Sequence, residues 1–370
     1  MLLVEHADVF APAPLGKQSI LIAGGRIETF GADGRALAQA GVEVEVLDGS
    51  GCIAVPGLID PHVHSIGGSG ESGFATQTPE LFASELLAAG ITTVVGTLGT
   101  DTTTRTMAAL LAKTKALREE GLSAYAWTGG YDARALTGSV RDDIVLLEEV
   151  IGAGELAIAD KRGRHYDARD LARLANDCYV AGTLTGKAGV LHLHVGDGAS
   201  RLALLREVLD DFEVPAATLY PTHVERNEAL MSEAIALTKR GVPIDVDVYE
   251  EDLVKWLRFY IDGGGDPSML TVSTDAAINA PRTLLEQLVL CIREEILPLE
   301  QTLALATRNT ARVLKLRDAG ELAPGRVASL LLLDAQSYEL RHVICNGRVV
   351  RAHREKWIEK SNRVIRLGEN

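Results

Sequence analysis

The chain has 370 residues, 46% hydrophobic and 24% charged, the balance of a folded protein with a large core. Lys and Arg number 37 against 51 Asp and Glu, and the net charge of −14 repels phosphate backbones, so no nucleic-acid partner is expected. The scattered cysteines Cys52, Cys178, Cys291 and Cys345 form no Cys-x-x-Cys pair and read as buried small residues of a reducing compartment.

The amino-terminal residues lack a basic stretch followed by an apolar core, and no run is long enough to span a bilayer. A cytoplasmic protein with no membrane segment is expected. Residues 1 to about 54 carry short apolar runs divided by turn residues, with Gly24-Gly25 as a hairpin turn between two of them. From Ile53 onward, strands alternate with amphipathic helices, the pattern of repeated βα units and a parallel sheet. The first strand is read over Ile53 to His64, the second over Ile91 to Gly96, the third over Ser123 to Trp127 and the fourth over Glu155 to Ala159. The fifth covers Gly189 to Val195, the sixth Ala217 to Val224, the seventh Val242 to Val246 and the eighth Leu270 to Asp275. Helices are expected between them, for example over Pro79 to Ala89 and Asp167 to Val180, and then over Leu284 to Ile296 and Leu299 to Leu314. Beyond these the β character returns, with a buried strand at Leu330 to Asp334 and a hairpin around Asn346-Gly347.

This order predicts an α/β protein: a (β/α)8 barrel over 55–315, with 1–54 and 316–370 pairing into a small β-sandwich. An open doubly wound sheet is the alternative, but no Gly-x-Gly-x-x-Gly follows the first strand.

Barrel sites gather at the carboxyl ends of the strands. His62 and His64 stand two apart at the end of the first strand, so both rings point to one face. The fifth strand offers His194, the sixth His223, the eighth Asp275, and the fourth, at its start, Glu155. Four histidines and two carboxylates suit two divalent ions, zinc first. His192 shares a face with His194 and competes with it; His194 is preferred for its place at the strand end. Two cations close together call for bridging anions, a carboxylate and a hydroxide, and the hydroxide is then a nucleophile near neutral pH. Asp275 is placed to take a proton from that water and pass it to a leaving amine; taken alone, Ser273-Thr274-Asp275 could equally cap a helix, but beside the four histidines the metal reading is preferred.

These residues resemble the amidohydrolase superfamily, through Gly57-Leu58-Ile59-Asp60-Pro61-His62-Val63-His64, His194, His223 and Asp275. Within it the chain is most similar to the isoaspartyl (β-aspartyl) dipeptidases. The carriers are His62 to Gly73, Val94 to Asp101, Thr128-Gly129-Gly130-Tyr131, Thr137 to Val140 and Pro221 to Asn227, within roughly residues 50 to 245. The resemblance implies that Glu71 holds the substrate's α-ammonium group, and that Thr100 and Arg226 bind the aspartyl α-carboxylate. It further implies that Arg162 binds the carboxylate of the leaving residue and that Tyr131 polarises the scissile carbonyl. A small dipeptide substrate and a homo-oligomeric state are implied as well.

Three departures stand beside the resemblance. The family's bridging ligand is usually a carboxylated lysine in an Ile-Gly-x-Lys run; here the run is Ile151-Gly152-Ala153-Gly154-Glu155, one residue longer, with Glu155 nearest that place and Lys161 as an alternative anchor. The family continues from its metal aspartate with Gly-Asn-Gly-Ser, where this chain has Ala276-Ala277-Ile278-Asn279. Residues 248 to 268 do not resemble the family. Hydrolysis of N-acyl amino acids or of cyclic amides, as by hydantoinases and dihydroorotases, is the rival reading, and a non-catalytic scaffold a second.

Overall fold

The computed structural model describes residues 1–41, 43–68, 70, 72–248 and 252–350. In chain order the first strands are β1 (Leu2–Phe10), β2 (Pro14–Ala23), β3 (Arg26–Phe30), β4 (Glu45–Asp48) and β5 (Cys52–Pro56). Then come β6 (Leu58–Val63), β7 (Ile91–Gly96), β8 (Ser123–Gly129), β9 (Val150–Ile158) and β10 (Leu191–Val195). They are followed by β11 (Leu219–Thr222), β12 (Ile244–Asp247) and β13 (Leu270–Ser273), and the described residues close with β14 (Leu330–Asp334), β15 (Leu340–Cys345) and β16 (Arg348–Val350).

Both chain ends contribute to one sheet, ordered β16-β15-β14-β5-β1-β2-β3, with β4 beside β1. The expected hairpins are present: Gly24 and Gly25 (φ 55° and 80°) join β2 to β3, and Asn346 and Gly347 (φ 49° and 75°) join β15 to β16. Positive φ at both central residues matches the twist of tight hairpins. The run Leu330–Leu333 is apolar without a break because both its faces are covered. Leu330 and Leu332 pack with Val4, Ile20 and Ile22, while Leu331 and Leu333 turn into the core of the α/β body. Residues 351–370, the rest of the expected terminal unit, lie outside the described residues.

The expected first strand is two strands. Cys52–Pro56 pairs with β1 and β14 in the terminal sheet, and after Gly57 the chain enters the parallel sheet as β6. An apolar run that is buried throughout carries no mark of which sheet each half joins.

The parallel sheet runs β11-β10-β9-β8-β7-β6, and β12 and β13 form a separate parallel pair. Side chains tie that pair to both edges of the larger sheet. Thr222 donates to Asp245 on β12 at 2.8 Å, and the Thr274 backbone N–H, just past β13, donates to Asp60 of β6 at 3.2 Å. The eight expected parallel strands are therefore all found, hydrogen-bonded as six and two. Their near-continuous burial is what a sheet covered on both faces requires.

Helices cover the outside. Ala168–Thr185 begins where Asp167 accepts the Asp170 N–H at 2.8 Å, close to the expected start. The expected helix over Leu299 to Leu314 is instead two, Leu299–Ala304 and Arg308–Val313. The break frees the Ala306 and Leu305 carbonyls to accept from Ile59 of β6 at 2.8 Å and Val272 of β13 at 3.2 Å. Among the described residues no helix is long and apolar enough to cross a membrane.

Candidate metal centre

His62 lies in β6 and His64 one residue past it, and both rings are almost fully buried. Parity along the strand turns them to the same side, as the spacing predicts. Glu155 is not at the start of its strand: β9 begins at Val150, and Glu155 sits well inside it, 1% exposed. The run Ile151-Gly152-Ala153-Gly154 gives a weak strand signal because glycine has no β preference, yet it pairs with β8 and β10 on either side. Gly154 is needed there. It has φ 149°, and a Cβ at that position would come within 2.6 Å of the His192 carbonyl oxygen.

The two oxygens of Glu155 face two different groups of ligands. Oε1 lies 3.5 Å from His62 Nε2 and 3.4 Å from His64 Nε2, and Asp275 Oδ1 lies 3.4 and 3.1 Å from the same two nitrogens. Oε2 lies 2.9 Å from His194 Nδ1 and 3.5 Å from His223 Nε2. Ligands about 2.0–2.1 Å from one tetrahedral cation stand about 3.3–3.4 Å from one another, and these four histidine–carboxylate separations are near that value; His62, His64 and Glu155 bring one ligand atom each within 4.8 Å of one another, and so do Glu155, His194 and His223. His62 Nε2 and Asp275 Oδ1 are buried with no hydrogen-bond partner, the state expected of ligand atoms held for something other than a proton. The residues present fit a pair of cations sharing Glu155.

The outer hydrogen bonds fix the tautomers. The Tyr220 carbonyl can only accept, so His192 Nδ1–H donates to it at 3.0 Å and His192 Nε2 is left as an acceptor. His62 Nδ1–H then donates to His192 Nε2 at 2.8 Å, so Nε2 is the His62 nitrogen turned to the carboxylates. Burial, and next the neighbouring His62, hold His192 well below the usual histidine range, so it stays neutral. His192 thus supports His62, and it is His194 that faces Glu155 Oε2. His223 Nδ1 donates to Asp247 Oδ2 at 2.7 Å, and His194 Nε2 stands 3.2 Å from Asp160 Oδ2.

Charge is balanced inside the cluster. Burial opposes a charge on His62, but the Glu155 and Asp275 carboxylates outweigh it and hold the ring well above its ordinary value. His223 is raised to about 9, again against burial, chiefly by Asp247. Burial likewise opposes the charge on Glu155, and the surrounding histidines win and keep it ionised. Asp275 does not cap a helix: the next helix begins at Thr283, and Asp275, at φ 53°, turns its carboxylate to the histidines.

Tyr131 joins the cluster, its hydroxyl 3.0 Å from His194 Nδ1. Burial, then the Glu155 charge, push its phenol well above the usual range, so it remains a donor. Arg162 stacks over the Tyr131 ring at 5.4 Å and forms a fork on Asp160, Nε to Oδ1 at 2.8 Å and Nη2 to Oδ2 at 2.6 Å. Arg226 is exposed, with Nε donating to the Val195 carbonyl at 2.7 Å, next to His194. Thr100 is exposed in the loop after β7. The structure brings Tyr131 and Arg162 into contact with the ligand cluster and leaves Thr100 and Arg226 on the surrounding loops. Glu71 lies outside the described residues, as do 249–251 of the divergent segment.

Asp160, Asp247 and Glu225 were missed by sequence reasoning. Asp247 had a signal, since Ile244-Asp245-Val246-Asp247 puts two carboxylates on one face of an apolar strand, where they need partners. His223, Glu225 and Asp247 also bring one ligand atom each within 4.8 Å of one another. The carboxyl of Glu225 is pushed well above the usual carboxylate range by burial and by Asp247.

A sequence model of the amidohydrolase family matches residues 258–350, a stretch that includes Asp275. The chain is 35% identical to β-aspartyl dipeptidase of Fervidobacterium islandicum AW-1, with a TM-score of 0.89 over 94% of this chain and 96% of that one. The same enzyme in complex with β-Asp-Leu dipeptide gives 34% identity and a TM-score of 0.87. Dihydropyrimidinase of Brevibacillus agri, 16% identical with a TM-score of 0.65, shares the fold. Adenine deaminase 2 of Rhizobium meliloti is 25% identical over 332 residues, 82% of this chain, and the chain spans about half, 49%, of that protein's length.

Proposed function

The chain belongs to the amidohydrolase superfamily, and from that premise we propose that it hydrolyses the isopeptide amide of β-aspartyl (isoaspartyl) dipeptides at a two-metal centre bridged by Glu155. The observation that carries the reading is the pair of Glu155 oxygens, Oε1 toward His62 and His64 and Oε2 toward His194 and His223. The substrate class rests on the likeness to β-aspartyl dipeptidase over nearly all of both chains. We read the eight parallel strands as a (β/α)8 barrel and the terminal sheet as a small sandwich beside it, a reading supported by the Thr222–Asp245 and Thr274–Asp60 links at its two seams. A cytoplasmic homo-oligomer is part of the same proposal.

Two divalent cations, zinc first, supply when bound an activated water and an electrophilic pull on the scissile carbonyl. The protein's own residues do the rest. His62, His64 and Asp275 would hold one cation and His194 and His223 the other, with Glu155 between the two groups. Asp275 takes the proton from the attacking water and returns it to the departing amine. Tyr131, a neutral phenol beside His194, donates to the oxygen on which negative charge develops. Arg162 receives the carboxylate of the leaving residue, Thr100 and Arg226 the aspartyl α-carboxylate, and Glu71 the ammonium group, the pairing of planar forks with carboxylates that a zwitterion demands.

The rival reading is hydrolysis of a ring amide or amidine on the same metals. Asn279 favours it: where the dipeptidases place a serine-bearing run, this chain turns the Asn279 side chain to the Val248 carbonyl at 2.8 Å. The likeness to adenine deaminase points the same way. Zinc-loaded protein offered β-Asp-Leu, α-Asp-Leu, hydantoin, dihydrouracil and adenine tests both. Cleavage of β-Asp-Leu above all others supports the proposal, and preference for a ring substrate contradicts it.

A further inference from the structure

The two ligand groups are supported differently. In the first, His62 Nδ1 leans on the neutral ring of His192 at 2.8 Å, and His64 Nδ1 is buried with no hydrogen-bond partner. In the second, each histidine has a carboxylate behind it: Asp247 Oδ2 lies 2.7 Å from His223 Nδ1, and Asp160 Oδ2 lies 3.2 Å from His194 Nε2. Both carboxylates are nearly sealed from solvent, with side-chain exposures of 6% and 5%. The first group also has one ligand more, since Asp275 adds to His62, His64 and Glu155 Oε1, whereas the second has His194, His223 and Glu155 Oε2.

We propose that Asp160 and Asp247 are positioning residues of the second metal position, each fixing the ring and tautomer of one of its histidines, so that removing either empties that position while the first keeps its cation. The proposal rests on the two-metal reading. A position with three protein ligands has no spare donor, and its affinity depends on two imidazoles presenting the right nitrogen at the right angle. A carboxylate on the far nitrogen does this and makes the ring a stronger donor, an effect worth roughly 10–100-fold in metal affinity in other sites. His194 needs the help most. Its ligand atom is Nδ1, so the ring must stay turned with Nε2 outward, where it meets Asp160 Oδ2, Arg162 Nη2 and the Tyr131 hydroxyl, each at 3.2 Å; of the three only the carboxylate cannot donate and so fixes a proton on Nε2.

Asp160 has a second task. Its two oxygens also hold the Arg162 guanidinium, whose Nη2 lies 3.2 Å from His194 Nε2. The metal ligand and the arginine proposed to take the leaving residue are thus set by one side chain, and Asp160→Asn should disturb both, whereas Asp247→Asn should disturb the metal alone.

The same atoms permit another arrangement, a cation on His223 Nδ1, Glu225 and Asp247. The 2.7 Å spacing of His223 and Asp247 is that of a hydrogen bond and is shorter than the roughly 3.3 Å between ligands of one tetrahedral ion.

The test is a zinc titration of full-length, chelator-stripped protein against a chromophoric competitor, with wild type, Asp247→Asn and Asp160→Asn in parallel. The proposal expects two tight equivalents in wild type and, in each variant, one unchanged and one weakened about 10–100-fold. A cobalt(II) titration should show the visible bands of one position only at matched concentrations. Unchanged constants for both ions in folded variants, equal weakening of both, or a third equivalent in wild type would each overturn it. A single equivalent in wild type overturns the two-metal reading and the proposal with it. Circular dichroism of the stripped proteins reports folding, and Asp160→Asn decides the matter where Asp247→Asn does not fold.

Discussion

His192 Nε2 stands 2.8 Å from His62 Nδ1, and that contact decides which nitrogen of His62 is presented to Glu155 and Asp275. The chain of donors, from His62 through His192 to the Tyr220 carbonyl, has one consistent direction. His192→Phe keeps the ring against Trp127 and removes the acceptor. The variant should hold the first cation roughly 10–100-fold more weakly and leave the second unchanged in a competition titration. Unchanged affinity for both would show that the His62 orientation is set elsewhere.

Tyr131→Phe removes the donor proposed for the carbonyl oxygen and replaces no ligand residue, although its hydroxyl lies 3.0 Å from His194 Nδ1. Metal content should stay the same while kcat falls on the order of 100- to 1,000-fold, about 2.7–4 kcal/mol of transition-state stabilisation. A fall in metal content, or a change confined to KM, would make the tyrosine a packing residue of His194.

Arg162→Met tests recognition of the leaving residue. KM for a β-aspartyl dipeptide should rise about tenfold or more, and a substrate whose leaving residue is amidated should lose its disadvantage. If the two substrates still differ in the variant as in wild type, the arginine does not meet that carboxylate.

Metal uptake should depend on pH with a definite sign. In the metal-free protein His223, at about 9, carries a proton near neutrality, and His62 lies well above its ordinary value too. A cation needs both rings neutral, so binding releases protons, and apparent affinity climbs as pH rises toward 9. Titrations from about pH 6.5 to 9.5 should follow that course; affinity independent of pH would mean the rings are already neutral.

The sequence was informative where chemistry and period coincide. His62 and His64 are two apart at the end of an apolar run, and both rings meet the Glu155 carboxylate as strand parity requires. His192 and His194 also share a face, so parity could not rank them; depth did, because His192 reaches a backbone carbonyl and His62 within the interior. Glu155 stood out as a carboxylate on the fourth strand, but that strand was read too short because two glycines interrupt it. The split of Ile53 to His64 between two sheets was not legible, since both halves are equally apolar. Asp160 was read past in favour of its neighbour Arg162, although an acid two residues from an arginine is a common way to hold a guanidinium still. Asp247 went unread because its partner, His223, is distant in sequence, and such pairs exist only once the strands are side by side.

The measurement that bears most directly on the whole account is metal content per chain in wild type and in Glu155→Ala. Two equivalents in wild type, with one or none in the variant, is the predicted result, because one carboxylate faces both ligand groups. Two equivalents in both proteins would contradict it and return Lys161, or a bridge of solvent alone, to consideration.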